Sequence, residues 1–116
     1  MRGGLLGALD EAEGLGVESM QMLPYRRHTR PEPEELAQFR ARLAKSAVVK
    51  RLLVHSRFVP SLASSDETRR ARSSELLRWE LGLAAGLGAE GFVLHASPFS
   101  PGAAAATGVR LFSERL

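Results

Sequence analysis

The chain has 116 residues, 44% of them apolar and 25% charged, with no cysteine and a net charge of +3 from 16 Lys plus Arg against 13 Asp plus Glu. That length holds one small domain, and the composition excludes a disordered or fibrous chain. The lack of cysteine excludes disulfides and thiolate metal sites.

The basic isoelectric point comes from the excess of Arg over Lys, and gives only a slight bias toward nucleic-acid partners. No apolar run approaches the ~18 residues of a membrane span. The N-terminal apolar patch is interrupted by Asp10, Glu11 and Glu13, so it does not read as a signal peptide. No membrane partner is expected, and the expected compartment is the cytoplasm.

Leu5, Leu6, Leu9 and Ala12 recur at helical spacing, and Gly14 and Gly16 stop the run, which predicts a helix over 4–14. Val17–Leu23 is a short strand candidate, followed by Pro24 and the basic loop YRRHTRP. Pro31 and Pro33 with Glu32, Glu34 and Glu35 form an acidic first turn suited to the positive end of a helix dipole. Leu36, Phe39 and Leu43 then carry that helix to about Ser46. Val48–His55 predicts a buried strand in which Leu52, Leu53 and Val54 deliver His55 to the C-terminal end. Ser64 and Glu67 have capping-box spacing and open a helix to about Leu87, with Leu77, Leu81 and Ala85 as its inner stripe. The arginines of that helix (Arg69, Arg70, Arg72, Arg78) stand among Asp66, Glu67, Glu75 and Glu80 and read as a solvated outer face. Gly91–His95 repeats the strand that ends in a histidine, Phe92-Val93-Leu94 running into His95. The segment SPFSPGAAAATG reads as a loop, and 109–116 as the start of another helix.

Strands alternating with helices predict parallel units in an α/β fold. The sequence also echoes itself: Gly14-Leu15-Gly16-Val17-Glu18 matches Gly86-Leu87-Gly88-Ala89-Glu90, each placing a glycine C-cap just before a strand. Three parallel strands would leave two open edges, and a complete barrel needs about 250 residues. The expectation is a single incomplete domain: a partial (β/α)8 TIM barrel of about three parallel strands with their helices, the first strand and the C-terminal half missing.

Three stretches carry a resemblance to a known family: GGLLGALDEAEGLGVESMQM, VHSRFVPSLASSDETRRARS and ELLRWELGLAAGLGAEGFVLHAS. Together they resemble endonuclease IV, the metal-dependent apurinic/apyrimidinic endonucleases of DNA repair. The resemblance implies a TIM barrel with a zinc cluster at its C-terminal face, which activates water and clamps phosphate to hydrolyse the phosphodiester 5′ to an abasic site in double-stranded DNA. On the matching positions it implies that His55 and His95 are zinc ligands. It implies that Phe58 and Val59 press an apolar wedge into the duplex, and that Arg26 or Arg27 contacts DNA. Ser61 stands where the family has Asn, and Ala96-Ser97 where it has Pro-Gly. Catalytic zinc normally takes three protein ligands, so two histidines imply that this chain alone does not cleave DNA.

Two other readings compete. One is a metal-dependent sugar isomerase or epimerase on a related barrel, which needs neither the wedge nor phosphate-facing arginines. The other is a non-catalytic truncated fragment. Taken singly, a histidine at a strand end is more often structural than a ligand, and His28 reads as a loop residue.

Overall fold

The computed structural model describes residues 4–26, 29–58 and 60–95. Its elements are α1 (Gly4–Leu15), β1 (Ser19–Met22), α2 (Pro33–Lys45), β2 (Arg51–His55), α3 (Glu67–Leu87) and β3 (Gly91–Val93). Every predicted helix and strand within these residues is present in order, the strands shorter than expected. The segment from Ala96 onward, with its predicted loop and partial helix, lies outside the described residues, as do Arg27, His28 and Val59. The chain divides into two compact units: Met1–Arg57 with Leu81–Val93, and Phe58–Glu80 with Leu94–Leu116.

The first unit holds the sheet. Its strands are all parallel in the order β1-β2-β3, with Met20 opposite Leu52 and Val54 opposite Phe92. Those residues share one face, and it packs on the helices: Leu52 and Val54 join Leu5, Leu9, Phe39 and Leu87 in one core. The opposite face carries Ser19, Gln21, Arg51, Leu53 and His55 in register with Gly91 and Val93. The expectation of a buried β2 is therefore corrected. Its burial alternates, and Leu53 is 41% exposed between the buried Leu52 and Val54. An apolar triplet reads as buried on both sides, but among the described residues only one face of this sheet meets helices.

The sequence echo closes two helices in one way. At the end of α1, Gly16 takes φ +73° and donates to Glu13 O at 3.1 Å, while Val17 N reaches Ala12 O at 3.4 Å. At the end of α3, Gly88 takes φ +83° and donates to Ala85 O at 3.1 Å, while Ala89 N reaches Ala84 O at 3.0 Å. Both are Schellman turns, and the left-handed residue is glycine because a Cβ is disfavoured there. The chain then crosses straight into strand pairing, with Glu18 O accepting from Lys50 N and Arg51 N, and Glu90 N donating to Leu52 O.

In α2, Pro33 takes the first turn and Glu34 and Glu35 follow, with Arg42 and Lys45 in the last turn, matching the helix dipole at both ends. Phe39 is fully buried, and Leu36 and Leu43 flank it. Arg42 ties α2 to α1 by a fork to Asp10 (2.5 Å) and Glu13 (2.7 Å). The hydrogen bond to Asp10 raises the Arg42 pKa above its ordinary value; desolvation opposes this, and the charges of Asp10 and Glu13 reinforce it. Arg42→Met should lower stability by about 0.5–1 kcal/mol, the scale for partly exposed pairs. Urea titrations in low and high salt would check it, and a loss that ignores salt would contradict the ion-pair account.

The inner face of α3 departs from expectation. Leu77 is buried, but Leu81 is 43% exposed and Ala85 is exposed; the buried positions are Ser74, Leu77, Glu80, Leu83, Ala84 and Leu87, of which Leu77, Glu80, Ala84 and Leu87 form the inner row. This is also a helical stripe, at i, i+3, i+7 and i+10, concealed in the sequence because a carboxylate occupies it. Glu80, read as part of the charged outer face, is fully buried.

The predicted capping box is also corrected. The helix starts two residues later than a Ser64 cap requires: Asp66 Oδ1 accepts from Arg69 N at 3.1 Å, and Asp66 O takes the first helical bond from Arg70 N at 2.9 Å. Ser64 Oγ instead accepts from Asp66 N at 3.1 Å, shaping the approach to the cap. Asp66→Ala should therefore cost about 1 kcal/mol, whereas Glu67→Gln should cost little; equal losses in thermal melts would argue against Asp66 as the cap.

Candidate functional site

His55 is the last residue of β2 and half-buried, on the face away from the helices. Its Nδ1 lies 2.6 Å from Ser56 O. A carbonyl can only accept, so Nδ1 carries the proton, and in the neutral ring the lone pair sits on Nε2. That is the tautomer in which a second hydrogen bond fixes the direction of a ligating imidazole. Ser56 is itself buried and anchored, its N–H donating to Val93 O at 2.9 Å. The backbone that orients His55 is thus held by β3.

The sequence places His95 at the end of β3, but the strand stops at Val93 and His95 lies two residues beyond it, exposed. Among the described residues, no group of three or more His, Asp or Glu is placed to hold a metal ion. The donor set of the described residues does not fit a zinc cluster.

Arg26 is exposed in the loop after β1, and the structure brings it to a residue that sequence reasoning missed. A cavity of about 430 Å³ is lined by Arg26 and Arg57 together with Leu5, Met22, Tyr25 and Glu35. Arg57 sits over the Tyr25 ring, 5.6 Å from its centroid, and donates to Tyr25 O at 3.3 Å. These contacts hold its guanidinium on the loop after β1, although Arg57 itself follows β2. The opposite wall is the start of α1, where Glu35 Oε1 accepts from Leu5 N at 3.5 Å. The cavity therefore combines an apolar floor with two guanidinium groups on loops that follow the C-terminal ends of β1 and β2, the side on which α/β sheets bind ligands. Guanidinium pairs suit phosphate oxygens. The only local hint of Arg57 in the sequence was its position two residues after His55.

Phe58 is half-buried in the second unit, directly after that arginine. Its expected companion Val59, and Arg27 beside Arg26, fall outside the described residues. No helix among the described residues is long and apolar enough to cross a membrane.

Parallel strands alternating with helices define the class: this is an α/β fold matching part of a (β/α)8 barrel. Among solved structures, the chain is similar to endonuclease IV from Thermus thermophilus, with a TM-score of 0.66 and 28% sequence identity over 95% of this chain. The match spans 43% of that protein's length. No protein-family model matches the sequence, and comparison with curated proteins finds no match.

Proposed function

We propose that this chain is an endonuclease IV-like DNA-binding protein of the cytoplasm that recognises double-stranded DNA at abasic sites. The observation that carries this reading is the likeness to endonuclease IV along nearly the whole chain, at 28% identity. Arg26 and Arg57 serve as phosphate contacts at the C-terminal strand ends, and Phe58 with Val59 as the apolar wedge against the bases. Insertion of such a wedge costs a few kcal/mol of unstacking, least where a base is already missing. A sugar enzyme of the same fold needs neither group.

His55 and His95 each offer one imidazole suited to zinc, which when bound would generate hydroxide and polarise a phosphate. The described residues do not complete such a site, so no hydrolytic step is assigned to the chain. His55 holds its ring in a fixed tautomer through Ser56, Arg26 and Arg57 neutralise phosphate charge, and Phe58 excludes water at the wedge.

Binding of an abasic-site duplex, followed at several salt concentrations, tests the reading. Log affinity should fall with log salt, and Arg26→Gln should reduce the slope by about 1, the effect of losing one phosphate contact. Salt-insensitive binding, or none, would overturn it. With zinc added, the same duplex should remain uncut; robust turnover would show a complete catalytic site.

A further inference from the structure

Phe58 and one side of α3 enclose a second groove, of about 390 Å³, within the second unit. Arg69, Arg72, Ser73 and Leu76 line it from the helix. Their spacing of i, i+3, i+4 and i+7 sets them on one stripe. Phe58 and Ser61 line it from the loop that precedes α3. Ser61 N donates to Ser73 Oγ at 2.8 Å, which fastens that loop to the helix across the groove. Asp66 also reaches the groove, but its Oδ1 accepts from Arg69 N at 3.1 Å and caps the helix. Arg70 turns away from it, to Glu67 and Ser64 O. Two of the arginines that read as a solvated outer face therefore line one groove together with an aromatic side chain.

We propose that this groove takes one nucleotide of a nucleic-acid strand, with Phe58 and Leu76 against the base and Arg69 and Arg72 on its phosphate. The volume falls in the range of small-ligand sites. An aromatic ring offers any base a stacking surface, and a guanidinium fork matches phosphate geometry. The hydroxyls of Ser61 and Ser73 and the paired arginines make it a poor site for an uncharged apolar ligand. The assignment deepens the DNA reading above and rests on it for the strand that supplies the nucleotide.

The test is a titration of the full ¹⁵N-labelled chain, followed by NMR, with 2′-deoxyadenosine 5′-monophosphate, deoxyadenosine and inorganic phosphate as separate probes. The nucleotide should shift amides of Phe58, Ser61 and the Arg69–Leu76 turns saturably, and bind more tightly than either half alone. A double variant, Arg69→Gln with Arg72→Gln, should weaken it about tenfold. Phe58→Leu should weaken it too, and Arg78→Gln, outside the groove, should leave it unchanged. Equal affinity in the double arginine variant, equal response to phosphate alone, or no shift at the groove overturns the proposal. An abasic duplex that binds with an Arg26-dependent salt slope while the nucleotide leaves these amides unmoved would defeat the groove and keep the DNA reading. Nucleotide binding in the groove without duplex binding would defeat the DNA reading and keep the groove.

Discussion

Phe39→Ala is expected to cost about 3–5 kcal/mol of folding stability, a large part of what a domain this small possesses. Phe39 is 0% exposed and is the largest fully buried side chain of the core, where α2 meets Leu9, Leu52, Val54 and Leu87. Truncation removes its buried area and leaves a cavity that the two helices and the sheet can close only in part. Gln38→Ala, one residue earlier on the exposed side of the same helix, should stay within about 0.5 kcal/mol. Urea unfolding of the two variants would decide: similar midpoints would mean that Phe39 is not central to the core.

The second large effect distinguishes the two faces of β2. Val54 is fully buried against the helices, while its neighbour Leu53 points to the other side and is 41% exposed. Val54→Asp places a carboxylate in the core at a cost of several kcal/mol, and should abolish cooperative folding. Leu53→Asp should cost about 1 kcal/mol, chiefly the poor strand propensity of Asp. Leu53 also leans over Gly91, where an added Cβ would stand 2.9 Å from Leu53 Cδ2, so a little packing is lost with it. Circular-dichroism melts of both variants give the answer. If Leu53→Asp were as damaging as Val54→Asp, the second face would have to be covered in solution.

The order of elements was legible because glycine, proline and periodicity act locally. Gly16 and Gly88 end their helices where the sequence places them, and Pro33 starts α2. His55 at the strand end was legible for the same reason. What the sequence concealed depended on contacts between distant residues. Glu80 sits in the inner stripe of α3, and a carboxylate there defeats any pattern based on hydropathy. Arg57 acquires its orientation from Tyr25, a residue on another loop that no local signal links to it. The cap of α3 passed from Ser64 to Asp66 because both residue types fit the role and only backbone geometry chooses between them.

The matching turns after α1 and α3 have a consequence for how such a chain can be recombined. Each leaves its helix through the same pair of hydrogen bonds and reaches a strand after the same short step. A segment cut at one turn therefore presents ends compatible with the other. Joining a second copy of Val17–Gly88 after Gly88 would preserve both junctions at the backbone level, since each splice falls between a left-handed glycine and the residue that enters the next strand. The repeated turn is a natural seam, at which a block of two strand-helix units can be added or exchanged without redesigning a loop.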